Sequence, residues 1–339
     1  MFLPGNEKEG NEMIFKCKNC GGNSVYNPEK KMMYCPHCES EDSQEKLDGV
    51  GLAQCGNCGA PMDVPDHTSA MKCESCGSYH IFEERITGEY APHLILPFEI
   101  SKNQAVAILK KEFGKRVFTP SGFLSHASIE KMEGSYVPFF LYDFHADARY
   151  SAQGTKVRSW SSGDYRYTET SYFAIERDMD VEFDNIPVDA SIRLEDSTMD
   201  LLEPYDYKAL EAFKEQYMSG FEGEIYTDNA VTLQERAEQK AKKDVHALIR
   251  DSVSGYATVT QESEQVNLQK KSCDYALLPV WIYDFQYQGQ TYQFHVNGQT
   301  GKVIGKTPVA HKKVVGYSAT VFAITLVAGL LLRTLSMFF

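Results

Sequence analysis

The hydrophobic pattern is most continuous from residue 314 to residue 332, where nineteen residues carry no charge. At ~1.5 Å per residue a helix of this length reaches about 28 Å, close to the hydrocarbon thickness of a bilayer. A buried core helix is the alternative, but such a helix usually keeps a polar face. Here only four hydroxyl-bearing residues interrupt the run: Tyr317, Ser318, Thr320 and Thr325. A single C-terminal transmembrane helix is therefore predicted over residues 314–332.

Apolar residues at helical spacing predict three further helices. Ser101 and Gln104 form a capping box before AVAILKKEF. The segment 205–219 places four large apolar residues on one helical face: Tyr207, Leu210, Phe213 and Tyr217. The segment 230–252 carries a narrow apolar stripe: Leu233, Ala237, Ala241, Val245 and Leu248. This stripe suits either the chain's own sheet or a partner helix, and internal packing is the default for an amphipathic helix.

A duplicated strand-like motif marks the middle of the chain. VPFFLYDF at 137–144 recurs as LPVWIYDF at 278–285, and TYQFHV at 291–296 alternates like a hairpin strand. Short β-rich runs fill residues 90–200 and 253–308, for example HLILPFEI, DYRYTETSYFAIE and GYATVTQES. We expect a β-rich α+β domain over residues 90–310, with a helical insert at about 203–252. Its two related β units should form one sandwich or a pair of small barrels.

Eight cysteines form four Cys-x-x-Cys pairs near the start of the chain. The pairs form two sets of four cysteines, and fourteen residues separate the two pairs within each set. The second set repeats the first at an offset of 38 residues: Cys17, Cys20, Cys35 and Cys38, then Cys55, Cys58, Cys73 and Cys76. Four thiolates on two tight turns suit tetrahedral zinc, whereas redox or iron–sulfur use is less typical of this spacing. Two structural zinc sites are predicted, in zinc ribbons at 13–42 and 51–84. His37 is interpreted as a bystander, because four thiolates already saturate the metal.

The charge balance disfavours nucleic acid as a partner. The net charge is −13, and residues 13–80 hold six lysines against nine carboxylates, a local net charge of −3. A phosphate-binding ribbon would carry clustered lysine and arginine, so the ribbons are expected to dock protein or to stabilise the fold. The acidic run ESEDSQEKLDG at 39–49 is interpreted as a solvated linker.

The pattern of titratable residues does not predict catalysis. Asp143 and Asp284 occupy matching places in the duplicated motif, but a strand-end carboxylate usually satisfies local backbone donors. His145 and His295 are interpreted as ordinary strand residues, and Cys273 as an inert thiol. The sequence holds no nucleophile elbow, phosphate-cradling glycine loop or His-x-x-x-His pair. We therefore expect a protein that is not an enzyme.

Charges around the apolar run predict its orientation. His311, Lys312 and Lys313 precede the run and a single Arg333 follows it. The excess of positive charge on the N-terminal side favours keeping the bulk of the chain in the cytoplasm. No N-terminal signal peptide is evident, and paired cysteines in such a chain indicate metal ligation rather than disulfides. The expected product is a single-pass, tail-anchored protein of the cell membrane.

Several segments resemble a bacterial, mainly Firmicutes, family. They are the tandem CxxC pairs, FDNIPVDAS at 183–191, STMDLLEPYDYKALEAF at 197–213 and the block at 277–308 that precedes the apolar run. Members are labelled transcription factor IIB-type zinc ribbon-containing proteins, and many carry a primosomal helicase or phage replication label. This sequence has no GxxxxGK[ST] loop, so the helicase label does not suit it.

The resemblance implies a role at the membrane. Similar proteins are membrane-anchored components of envelope-stress systems that work with phage-shock-type and stomatin-like proteins. We therefore expect a membrane-anchored zinc-ribbon adaptor that recruits a partner protein to the cytoplasmic face. A membrane-tethered nucleic-acid-binding factor is the alternative, and it predicts salt-dependent binding of DNA or RNA by residues 13–80.

Overall fold

Three very long strands form the centre of the structure. The computed structural model describes residues 11–50, 54–120, 132–287 and 289–335. The fourteen strands it describes are β1 Asn11–Cys17, β2 Val25–Asn27, β3 Met32–Tyr34, β4 Gln44–Val50, β5 Thr68–Lys72, β6 Tyr79–Phe82, β7 Leu94–Ile95, β8 Glu133–Ser162, β9 Tyr165–Asp189, β10 Glu211–Ala212, β11 Glu222–Glu224, β12 Thr258–Tyr287, β13 Gln290–Asn297 and β14 Val303–Gly305. The four α-helices within the described residues are α1 Lys102–Gly114, α2 Asp196–Leu202, α3 Ala230–Ser252 and α4 His311–Leu335.

The two copies of the duplicated motif lie side by side in one sheet. They start at Val137 in β8 and Leu278 in β12, and these two residues pair directly in antiparallel register. Each copy also pairs with the following strand of its own hairpin, β9 or β13. The expectation of a sandwich or two small barrels is therefore wrong. The two units join edge to edge, and the short β runs of the sequence merge into strands of 25 to 30 residues.

The motif is apolar up to Tyr142 because both faces of the strand are buried there. Tyr136 and Tyr142 face the main core, whereas Phe139 and Leu141 face a second cluster that α2 covers. From Ala146 onward the strand alternates, because α3 covers one face and the other is exposed. A strand buried on both faces gives a continuous apolar run, and a half-covered strand gives alternation. The change from a continuous apolar run to alternation therefore marks the point where the sheet stops being covered on both faces.

Helix α3 packs on the long strands. Its buried residues are Ala237, Ala241, Val245 and Ile249. The side chain of its N-cap residue Asn229 accepts hydrogen bonds from the backbone N–H groups of Val231 and Thr232. The predicted helix and its packing on the chain's own sheet are confirmed. Leu248 is 43% exposed, so its place in the stripe is wrong. Ile249 takes that place because, at about 100° per residue, it lies about 40° around the helix axis from Val245, whereas Leu248 lies about 60° away on the other side.

We expect Ala241→Leu to lower the free energy of unfolding by about 1–3 kcal/mol, because the alanine is fully buried between α3 and the sheet. The matched control is Lys243→Leu on the exposed side of the same helix, which should stay within about 0.5 kcal/mol. Thermal unfolding of both variants measures the difference. Equal stability of the two variants would contradict the packing of α3 on the sheet.

Of the other two predicted helices, one is confirmed and one is wrong. Helix α1 begins at the predicted capping box, with Ser101 and Gln104 bonded reciprocally. The predicted helix at 205–219 is wrong: the segment forms short 3-10 turns and the two-residue strand β10. Tyr207 and Leu210 pack on the second cluster, whereas Tyr217 packs on the main core. The segment passes from one face of the sheet to the other, which a straight helix does not do.

The cysteine-rich segments are continuous with the same sheet. β1 pairs with β4 and β6, β6 with β5, and β5 with β11, which pairs in turn with β8. The acidic run at 39–49 is therefore only partly a linker, because residues 44–50 form β4. Charged side chains suit this position, since β4 ends the sheet and charges discourage edge-to-edge pairing.

Candidate metal centres

Four cysteines meet between the turns of the first cysteine-rich segment. The sulfurs of Cys17 and Cys38 are 3.6 Å apart, as are those of Cys20 and Cys35. All four sulfurs lie within 4.8 Å of one another. A zinc–sulfur bond of about 2.3 Å in tetrahedral geometry places sulfurs about 3.8 Å apart, so the arrangement fits zinc. His37 is exposed and lies outside this group.

The second segment repeats the arrangement. The sulfurs of Cys55 and Cys76 are 3.6 Å apart and those of Cys58 and Cys73 are 3.9 Å apart. A disulfide bond requires about 2.05 Å, so both groups consist of free thiols. The eight predicted ligands thus come together in two groups of four. Each group can bind one metal ion, and four sulfur ligands are consistent with zinc.

A repeated backbone turn positions each cysteine pair. In every pair the carbonyl of the first cysteine accepts a hydrogen bond from the residue four positions later, at 2.7–2.8 Å. That residue has a positive φ angle and is glycine in three pairs: Gly21, Gly59 and Gly77. The fourth is Glu39, with φ of 62°. Left-handed backbone favours glycine, which explains the glycines after the second cysteine of these pairs.

Hydrogen bonds favour thiolate at Cys38 in the first group, and at Cys55 and Cys76 in the second, where they lower the pKa of each thiol. Ser40 donates to the Cys38 sulfur through its side chain and lowers the pKa of that thiol to about 6. Burial opposes ionisation of Cys76, but hydrogen bonds from Ser78 and Asn57 lower its pKa to about 5. Thiolate is the form that binds metal, so these donors favour metal binding.

Most of the chain is similar to a relative of similar length. The uncharacterized protein YdjG of Bacillus subtilis (strain 168) is 34% identical over 314 residues, which cover 89% of this chain and 92% of the relative. The chain belongs to the YdjG family. No family model matches the chain, and no solved structure matches it. The relative's name specifies no activity, so function is argued from this chain's own residues.

The duplicated aspartates do not form a carboxylate pair. Asp143 accepts a hydrogen bond from the backbone N–H of Asn185 at 2.8 Å and another from the Ser272 hydroxyl. Asp284 lies twelve residues along β12 from Ser272, which at ~3.3 Å per residue is about 40 Å away. Asp143 therefore satisfies local donors, as the sequence predicted.

The two strand histidines occupy different surroundings. The Nδ1 of His145 is 3.1 Å from a Glu182 oxygen, and Glu182 also contacts Lys271 at 2.5 Å. This group is a half-exposed ion-pair network on the open face of the sheet. His295 is buried, and burial lowers its pKa to about 4, so it is neutral at pH 7.

One helix in the described residues is long and apolar enough to cross a membrane. It runs from His311 to Arg333, within α4, and none of its apolar window is buried against the rest of the chain. The N-terminal end of α4 is attached to the body, because Lys313 Nζ donates to the Thr119 carbonyl and Tyr317 contacts the Phe118 ring. An exposed apolar helix of this length is a candidate membrane span.

A buried pair beside the second group escaped the sequence analysis. Glu12 and His80 are both fully buried, and the His80 ring reaches the sulfur of Cys55. The available signal was an asymmetry of the repeat. Positions 78–80 read SYH, whereas the corresponding positions 40–42 read SED.

Proposed function

We propose that this protein is a membrane-anchored adaptor that recruits a partner protein to the cytoplasmic face of the membrane. The apolar helix α4 supplies the anchor, and the positive charges before it favour a cytoplasmic body. Two zinc ribbons stabilise the part of the sheet that carries β1, β4, β5 and β6, and the separate two-stranded sheet of β2 and β3. Zinc is needed there because strands of three residues cannot bury a sufficient core alone.

The observation that carries the proposal is an exposed aromatic arm far from the anchor. We call residues 156–171 of the β8–β9 hairpin the arm. The pairing of β12 with β8 ends at Thr155, so within the described residues the arm is two-stranded with both edges open. Helix α4 starts near β14, at the other end of the sheet. The thirty residues of β8 connect the two ends, about 100 Å at ~3.3 Å per residue.

The arm carries an aromatic and basic surface on the face that α3 covers further along the sheet. Trp160 stacks on Tyr167 with ring centroids 5.6 Å apart, and the Arg158 guanidinium lies 5.7 Å from the Trp160 ring. Tyr165 is 72% exposed on the same face, and Trp160 and Tyr167 are more than 40% exposed. Exposed aromatic patches with arginine are typical of protein–protein contacts.

The arm places the docking surface away from the bilayer. A reach of about 100 Å from the anchor brings a soluble or peripheral protein within range without contact with lipid. The family resemblance implies a phage-shock-type or stomatin-like partner and a role in envelope stress. This assignment of the partner is a proposal that rests on the resemblance.

A photo-crosslinking amino acid at position 165 tests the proposal in the full-length chain. In native membranes we expect crosslinks to a membrane-associated protein. Trp160→Ser combined with Tyr167→Ser should reduce this product at least roughly tenfold, because central aromatic residues dominate such interfaces. The matched control is Val157→Ser with Tyr172→Ser, which removes two exposed side chains from the opposite face of the hairpin. Equal losses in both variants, or crosslinks only to nucleic acid, would overturn the proposal.

A further inference from the structure

A buried histidine connects the first strand of the structure to the second cysteine group. His80 Nδ1 lies 2.8 Å from a Glu12 carboxylate oxygen, and the other oxygen of Glu12 accepts the Gly56 N–H at 2.6 Å. His80 Nε2 lies 3.2 Å from the Cys55 sulfur and 2.7 Å from the Ser78 hydroxyl. A thiolate sulfur can only accept, so Nε2 donates its N–H toward Cys55 while Nδ1 shares a hydrogen bond with the Glu12 carboxyl group.

A second residue of β1 acts on the same group through an asparagine. Lys16 Nζ donates to the side-chain oxygen of Asn57 at 2.7 Å. This contact fixes the orientation of the amide, whose Nδ2 donates to the Cys76 sulfur at 3.3 Å. Strand β1 therefore supplies both supporting residues, Glu12 and Lys16, and ends at Cys17, a ligand of the first group.

The first group has different residues at the corresponding positions. Asp42 corresponds to His80 and is exposed. Asn19 corresponds to Asn57, but its amide donates to the Ser40 hydroxyl at 2.8 Å instead of to a sulfur. The two groups share their cysteines and their serine, and they differ in these two donors.

We propose that Glu12 and Lys16 position His80 and Asn57 as donors to Cys55 and Cys76, so that the second group retains its metal more strongly than the first. The two groups then lose zinc in a fixed order, the first group before the second. The inference rests on the proposed zinc binding. Its physical reason is charge: four thiolates leave a divalent ion with a net charge of −2, and donors to sulfur offset that charge in a buried site. Supporting residues around metal ligands typically change metal affinity by 10- to 100-fold.

Release of zinc to a coloured chelator from the full-length protein tests the order. Elemental analysis first establishes two zinc ions per chain, which tests the proposed metal binding separately. We expect two kinetic phases, and Cys38→Ser should remove the fast one. His80→Phe should accelerate the slow phase about 10- to 100-fold and leave the fast phase unchanged.

Matched variants separate positioning from general destabilisation. His80→Gln retains a side-chain N–H and should restore part of the slow release, whereas Asp42→Asn, at the corresponding place of the first group, should change neither phase. Cobalt substituted for zinc should show altered thiolate-to-metal absorption in His80→Phe but not in Asp42→Asn. Release in a single phase, equal acceleration of both phases by His80→Phe, or an unaltered slow phase in both His80 variants would overturn the inference. Absence of zinc would overturn it together with the metal assignment.

Discussion

The substitution Cys35→Ser is expected to unfold the first cysteine-rich segment. The Cys35 sulfur is fully buried and the flanking strands β2 and β3 are three residues long. Structural zinc in such sites supplies an apparent binding free energy of about 10–16 kcal/mol, which here offsets the missing apolar core. Losing one of four thiolates removes most of that contribution. Bound zinc should fall from about two ions per chain to about one, and protease cleavage within residues 13–42 should increase strongly.

Cys273→Ser provides the matched control for Cys35→Ser. Cys273 is partly buried in β12 and lies outside both groups of four. Cys273→Ser should keep two zinc ions per chain and the protease resistance of the native protein. Retention of two zinc ions by Cys35→Ser would contradict the assignment of Cys35 as a ligand.

Ending the chain at Ala310 is expected to move the protein entirely from the membrane fraction to the soluble fraction. The removed helix carries the run of nineteen uncharged residues, and none of its apolar window is buried against the body. Its main contacts with the described body are near its first turns, at Thr119 and Phe118. The body should therefore stay folded, which circular dichroism and two zinc ions per chain would establish.

A conservative change in the same helix controls for expression and handling. Gly329→Ala preserves the apolar length, and the full-length variant should remain in the membrane fraction. A truncated chain that stays in the membrane, or one that is soluble but unfolded, would contradict the independence of body and anchor.

The sequence was sufficient wherever one local pattern determined the element. The spacing of the eight cysteines predicted both groups of four, because each pair acts through a short turn of its own. The stripe of α3 predicted a helix, because one face alone is covered. The segment 205–219 failed for the opposite reason, since its aromatic residues pack on two different faces of the sheet.

The local sequence pattern did not predict which strands distant in the sequence would pair. Nothing near Thr68 or Gly223 indicates that β5 and β11 pair and thereby join the cysteine-rich segments to the large sheet. The contact of Glu12 with His80 spans 68 residues and depends on that same sheet. In the sequence, Glu12 and His80 look like any two charged or polar surface residues, because the burial of both side chains follows only from the fold.

Membrane recruitment can be measured by recovering the full-length chain and its crosslinked neighbours from native membranes, with and without nuclease. We expect the chain to sediment with the membrane together with one or two proteins, and we expect nuclease to leave their recovery unchanged. Recovery dominated by nucleic acid and lost with nuclease, or a chain found in the soluble fraction, would contradict a membrane-anchored adaptor.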